Sequence, residues 1–191
     1  MEELFNDFNH QNPNINKRAY ENMHIFWPAE SKTRLLGNLN SLDINIRRKS
    51  IKALSYFESD IIIPIVYLYL SSKDRILKIS CLKILVKVAA NNDVDDFEQD
   101  IKKVIDSALQ DSSVELSLTL ISLLRQLGKN AISILIKLAK DKDILRSKAA
   151  ITALGELNSP EINALFKELS NNQDLDPIIR EGALDALNRY Y

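Results

Sequence analysis

The chain has a single cysteine, Cys81, in 191 residues, with four glycines, five prolines and one tryptophan. One thiol cannot close an internal disulfide, which excludes a disulfide-stapled scaffold. Gly37, Gly128, Gly155 and Gly182 stand far apart, so no glycine-rich loop cradles a phosphate. His10 and His24 lack cysteine partners, and no metal-ligand spacing is met. Neither sign of charge predominates: 25 basic and 26 acidic side chains leave a net charge of −1. A nucleic-acid binder usually carries a basic excess, so no nucleic-acid partner is expected. The longest apolar run, Ile61 to Leu70, contains Pro64 and is about half the length that crosses a bilayer. The opening MEELFNDFNHQNPNINK is acidic and Asn-rich, without the basic start and apolar stretch of a signal peptide. The expectation is a soluble, cytoplasmic protein with no membrane insertion.

What the sequence does have is self-similarity. Apolar types make up 46% of it, enough to build a core. Shifting the segment Asp43 to Leu54 by 31 residues places Asp43 on Asp74, Ile46 on Leu77, Arg47 on Lys78, Ser50 on Cys81 and Leu54 on Leu85. The opposite shift reaches Ile15, Ala19 and Met23. The pattern returns at Asp176 to Leu187, with looser copies through Leu116 to Leu127 and through Leu145 to Leu154. Counted on the first apolar residue, the copies start at Ile15, Ile46, Leu77, Leu116, Leu145 and Ile179, at steps of 31, 31, 39, 29 and 34.

Each copy spaces its apolar residues as one face of an amphipathic helix. Small residues recur on that face at Ala19, Ser50, Cys81, Ala149 and Ala183, where a neighbouring helix can approach closely. Asp43, Asp74, Ser113, Asp143 and Asp176 precede the pattern as N-caps. A second amphipathic helix precedes each, near 2–10, 29–40, 60–71, 95–110, 130–140 and 160–170. Pro28, Pro64, Pro160 and Pro177 fall near first turns. No period-two alternation argues for strands. The predicted fold is all-α: an α-solenoid of six helical hairpins in one domain, 1–191. Its repeats run over 2–27, 28–58, 59–90, 91–128, 129–158 and 159–191. Stacking buries stripes that no hairpin covers alone.

The 39-residue step marks an insertion at Asn91 to Asp100, with five acids in ten residues. It is expected to lengthen both the loop and the helix after it. Residues 1–90 carry +4, residues 91–110 carry −4 and the remainder −1. The acidic seam reads as a solvated loop or as part of a surface for a partner of mixed charge.

The motif Asp-x-x-Ile-Arg-x-x-Ser/Ala-x-x-Ala-Leu resembles the second helix of a HEAT repeat. RRKSIKAL (47–54), SCLKIL (80–85), LLRQLG (123–128) and AAITALGEL (149–157), in this order, are similar to the HEAT-type phycobiliprotein lyase family of the E/F class. Within it, the phycoerythrin-associated Z-type branch is most alike. That resemblance implies a bilin lyase subunit or lyase-assisting chaperone, which promotes attachment of a linear tetrapyrrole to phycoerythrin cysteines. It also implies a phycoerythrin subunit as client and a second HEAT-type lyase subunit as partner. The phycoerythrobilin-like tetrapyrrole would be a transient ligand or substrate, with no resident cofactor and no metal. The thiol in that chemistry belongs to the client.

Arg48, Lys52, Lys83 and Arg125 lie off the core stripe, and Ile79, Leu118 and Ile121 leave it as well. In a HEAT array that side of the second helices faces inward. The cations suit carboxylates such as the two bilin propionates, and the apolar residues suit the conjugated body. The same residues also read as a solvated basic face or as a groove for an acidic protein helix. Arg47, Lys78, Arg146 and Arg180 read as a ladder in which each base meets an acid of a neighbouring loop. Cys81 occupies the small core slot and reads as core. Trp27 is expected to pack the turn between repeats one and two, and Tyr190 and Tyr191 suggest a lid or docking patch. No catalytic constellation is identified. Two functions are therefore carried forward, the bilin-attachment role and a non-enzymatic protein-interaction adaptor. A nucleic-acid repair enzyme lacks the basic, aromatic-rich face it would need.

Overall fold

The computed structural model describes residues 1–157 and 159–189. Among these residues there are α-helices, short 3₁₀ turns and no strand. The α-helices are α1 (Glu2–Asn9), α2 (Pro13–Phe26), α3 (Pro28–Asn38), α4 (Ile44–Leu54), α5 (Ile62–Ser71) and α6 (Arg75–Ala89). They continue with α7 (Glu98–Leu109), α8 (Val114–Leu127), α9 (Ile132–Ala139), α10 (Ile144–Leu154), α11 (Pro160–Asn171) and α12 (Pro177–Asn188). They form two compact units, Met1–Ser107 and Ala108–Tyr191.

The second helix of every pair starts from a side-chain cap. Asn12, Asp43, Asp74, Ser113, Asp143 and Asp176 each accept a hydrogen bond from a backbone N–H in the first turn of α2, α4, α6, α8, α10 and α12. Each cap contributes about 1 kcal/mol. Of the first helices with a described start, only α11 is capped this way, by Ser159; α1, α3, α5 and α9 are not.

In the first unit α1 packs on α2, α3 on α4 and α5 on α6, while α2 packs on α4 and α4 on α6. In the second unit α9 packs on α10 and α11 on α12, while α8 packs on α10 and α10 on α12. Met23, Leu35, Leu54, Ile65 and Leu82 are fully buried in the first unit, and Leu116, Leu124, Leu135, Leu154 and Phe166 in the second. Burying one such side chain contributes about 1.5–3 kcal/mol. This is the two-layer hairpin stack of an α-solenoid.

The position seven residues after each cap is the small slot: Ala19, Ser50, Cys81, Ala150 and Ala183, each at most 1% exposed. The fourth repeat has Leu120 there. The fifth repeat corrects the sequence reading by one residue. Ala150 fills the slot, and Ala149 is only half-buried. Leu145, taken as its first core residue, is 58% exposed, because the cap at Asp143 rotates it out of the stripe.

The acidic insertion lengthens the loop, residues 90–97, rather than the helix: α7 has 12 residues, as has α11. Residues 44–71 are apolar and long enough to cross a membrane by length and composition. They do not form one straight rod. A 3₁₀ stretch, Ser55–Ile61, separates α4 from α5, and Glu58 within it has φ 52° and ψ −135°.

Gly128 adopts the same conformation, φ 59° and ψ −125°, and both residues lie four positions before the next first helix, α5 or α9. Glycine reaches this region freely, whereas a residue with a Cβ is strained there by about 1–3 kcal/mol. Glu58→Gly is therefore expected to stabilise the chain by about 1 kcal/mol, and Gly128→Ala to destabilise it by a similar amount or more. Urea denaturation of both variants checks this. A destabilised Glu58→Gly would contradict it.

Candidate functional site

With the caps as origin, the residues five and nine positions on form one face of the second helices. In the first unit these are Lys17 and Glu21 on α2, Arg48 and Lys52 on α4, and Ile79 and Lys83 on α6. In the second they are Leu118 and Ser122 on α8, Lys148 and Thr152 on α10, and Glu181 and Asp185 on α12. The register brings five of the six expected site residues onto equivalent positions. Arg125 lies one turn further along α8 on the same side.

The two units build different surfaces from this face. On α4, Arg48 and Lys52 are exposed, and the Lys52 Nζ lies 5.8 Å from the centre of the Tyr20 ring. Burial, and secondarily the neighbouring Tyr56, raise the pKa of the Tyr20 phenol. Lys83 is exposed on α6, but Ile79 is only 5% exposed. The expectation of an apolar wall there is corrected: α6 buries Leu77, Ile79 and Ser80 to Leu82 in a near-continuous run, so Ile79 belongs to the core. Ile121 on α8 is likewise buried.

In the second unit the face opens into two clefts. The first, about 270 Å³, lies between α8 and α10, and Leu118 and Arg125 line it with Ser122, Ala149 and Thr152. The second, about 140 Å³, lies between α10 and α12, lined by Lys148, Thr152, Ile178, Gly182, Asp185 and Arg189, among others. Thr152 lines both. Arg125 donates to the Glu156 carboxylate at 3.0 Å, which ties α8 to the turn after α10. Lys148, Thr152 and Arg189 are absent from the sequence-based set. Counting from the cap at Asp143 instead of from Leu145 places Lys148 beside Arg48 and Leu118 in register.

The other singled-out residues are structural. Arg47 donates to the Ser41 carbonyl, and Arg146 to the Ser112 carbonyl at 2.9 Å, with Asp141 at 3.8 Å. Arg180 donates to the Gln173 side chain, and Lys78 sits over the Tyr69 ring. The expected ladder of bases meeting acids is corrected: of the four, only Arg146 approaches an acid, while Arg47 and Arg180 tie down loops through uncharged acceptors and Lys78 lies over a ring on α5. The loop acceptors lie where the chain turns back, within reach of the first turn of the second helix. His10 accepts from the Asn12 N–H, and the His24 ring packs 5.2 Å from Phe57. Trp27 is 44% exposed and Phe26 66%, contrary to the packed turn expected. Trp27 alone links α2 to α3, so residues 25–27 point away from a core already filled by Met23 and Ser31. Tyr190 and Tyr191 lie outside the described residues. No cluster of metal-ligating side chains occurs among the described residues.

Residues 101–189 match the family model for HEAT repeats. The chain is 28% identical over 158 residues to the bilin biosynthesis protein CpeZ of Synechococcus sp. (strain WH8020), covering 80% of this chain and 85% of that protein. It is 21% identical over 190 residues to the uncharacterized phycocyanin operon protein Z of Pseudanabaena tenuis (strain PCC 7409), covering 99% and 94%. A designed armadillo repeat protein, solved with the peptide (KR)4, superposes with a TM-score of 0.55 at 13% identity over 99% of this chain and 98% of that one. An engineered protein superposes with a TM-score of 0.51 at 18% identity, covering 98% and 94%.

Cys81 is fully buried, and burial pushes its thiol from 9.0 up to about 12. The folded chain keeps its proton where the unfolded chain releases it, so stability falls as pH rises above 9, toward 12. Between about pH 8.5 and about pH 10, the stability advantage of the native chain over Cys81→Ala should shrink by about 1 kcal/mol. A maleimide should label Cys81 only on unfolding. Rapid labelling of the native chain, or a pH-independent difference, would contradict the assignment.

Proposed function

We propose that the chain, whose residues 101–189 match the family model for HEAT repeats and which is 28% identical over 158 residues to a bilin biosynthesis protein, serves bilin attachment as a lyase subunit or lyase-assisting chaperone, with phycoerythrin as client. The observation that carries this reading is the alignment with CpeZ over 80% of the chain. It is joined to an open second-helix face that bears exposed cations and clefts.

The chemistry is positional. A client cysteine thiolate adds to the vinylic or ethylidene carbon of bilin ring A. A C–S bond forms, the carbon–carbon π bond opens and the neighbouring position takes up a proton. This chain's own thiol does not serve as a relay, because Cys81 is buried and protonated at neutral pH. Its residues hold the client so that thiol and bilin meet in one geometry, and restricting relative motion in this way accelerates an addition without an acid or base of its own. A second HEAT-type subunit would supply further surface.

The cleft volumes favour a contribution to the polypeptide side of this task. Pockets that enclose a small organic ligand run to roughly 300–1,000 Å³, and the clefts here measure about 270 and 140 Å³. They suit side chains of a client better than a whole tetrapyrrole. The same observation supports a second reading, a non-enzymatic adaptor that binds polypeptide without affecting attachment.

Co-expression of phycoerythrin subunits with a bilin pathway separates the two. Covalent chromophore on the denatured subunits should rise several-fold when this chain accompanies a partner lyase. An unchanged yield with every partner combination would leave only the adaptor.

A further inference from the structure

Charge is sorted in the first unit. Residues 1–107 carry 15 basic and 15 acidic side chains. Ten of the bases lie on the second helices α2, α4 and α6, together with a single acid, Glu21. The other 14 acids stand on first helices and connecting segments, among them the caps Asp43 and Asp74 and the insertion. The corresponding helices of the second unit, α8, α10 and α12, mix four bases with three acids. The sorting is thus particular to the first unit. Arg47, Lys49 and Lys78 lie against a carbonyl or a ring of their own unit, which leaves their charge uncancelled. A unit of zero net charge with its cations in one layer attracts an acidic partner to that layer and sets its orientation.

On each second helix the positions five, six, nine and thirteen after the cap fall within an arc of about 100°. Arg18, Arg48, Lys52 and Lys87 occupy this arc, all exposed and without an ion-pair partner among the described residues. Lys52 lies over the Tyr20 ring, which is neutral and leaves its charge in place. Lys17 stands 3.8 Å from Glu21, and those two charges cancel. The row of Lys17 and Glu21 continues at the next four-residue step with Ile25, 64% exposed. Phe26 and Trp27 follow it, also exposed. An apolar patch therefore begins about 12 Å along α2 from Lys17. The arc offers cations over three helices and apolar side chains at one end of the first of them.

We propose that the second-helix face of the first unit binds an acidic segment of a protein partner that carries apolar side chains beside its carboxylates. Arg48 and Lys52 engage the carboxylates, and Ile25 and Trp27 receive the apolar part. Carboxylates suit guanidinium and ammonium groups, and a buried apolar anchor supplies affinity that exposed ion pairs do not. Nucleic acid and anionic lipid also carry negative charge, but as a continuous rod or sheet. Either would extend past three helices toward the 14 acids placed around them, whereas a short segment stays on the cations. The inference rests on the client-holding reading and adds which unit holds the segment and what the segment is made of.

The test uses the full chain and a fluorescein-labelled peptide whose first half alternates Glu with Ala and whose second half alternates Leu with Ala, read by fluorescence anisotropy. It should bind, and binding should weaken with added salt. A peptide with Lys in place of Glu should not bind, and one with Ser in place of Leu should bind about tenfold more weakly. Arg48→Glu and Lys52→Glu should each weaken binding about tenfold. Trp27→Ser should weaken binding of the Leu peptide and leave the Ser peptide unaffected. Lys137→Glu, on the first helix α9, should change neither. Arg48→Gln and Lys52→Gln repeat the test should a charge reversal lower the melting temperature. Absence of binding, equal binding of the Lys peptide, or unaltered binding by folded Arg48 and Lys52 variants would overturn the proposal. So would a labelled DNA strand or phosphatidylserine vesicles that bind more tightly than the Glu–Leu peptide and are lost with the same substitutions. The peptide assay needs no bilin attachment, so its failure leaves the chromophore-yield test of the broader function standing.

Discussion

The hydrogen bond that closes the first turn of each second helix sets the phase of everything that follows on that helix. An oxygen of Asn12, Asp43, Asp74, Ser113, Asp143 or Asp176 holds a backbone N–H that has no partner within the helix. From there 3.6 residues per turn decide the rest. Seven positions on, a side chain meets the neighbouring helices, and small residues predominate. Five and nine positions on, the side chains of the second unit line the clefts between successive second helices, as Leu118, Ser122, Lys148, Thr152 and Asp185 do. The small core slot and the second-helix face are therefore one periodic pattern read at two offsets, and shifting a cap by one residue would exchange members between them.

Much of the fold was legible because period, cap and helix face agree in the sequence. The 31-residue shift that lays Ser50 on Cys81 also lays Asp43 on Asp74, and all five caps expected from the sequence close their helices. The misreadings come where two local signals compete. In the fifth repeat, Ile144 and Leu145 both follow Asp143, and the apolar residue that looked like the start of the stripe is on the surface. The true register puts Arg146 there, with its guanidinium on the Ser112 carbonyl. That one-residue slip hid Lys148, which lines the α10–α12 cleft, and Thr152, which lines both clefts. Ile79 was misplaced for a different reason. A helix that is apolar nearly all round, as α6 is, has no stripe from which an exposed face can be inferred.

The strained Glu58 shows how the repeat constrains residues that make no core contact. Its φ and ψ match those of Gly128 at the corresponding approach to the next first helix. The turn geometry is dictated by the hairpins on either side, and the residue type is secondary. Sequence comparison of the two segments gives no warning, because Glu and Gly share nothing in size or charge.

The same division between fixed scaffold and variable face suits the proposed positional role, which asks for no nucleophile from this chain. Its one thiol is consumed by packing. Its cations recur on the second helices, Arg125 tied to Glu156 and Lys52 laid over Tyr20, with Lys148 exposed beside a cleft. The most direct measurement of whether the second-helix face receives the client is site-specific photo-crosslinking. Benzoylphenylalanine placed at Ser122 or Thr152 should capture an unfinished phycoerythrin subunit, while the same group at Ser133 on α9 should not. Capture from Ser133 alone, with Ser122 and Thr152 silent, would contradict the account.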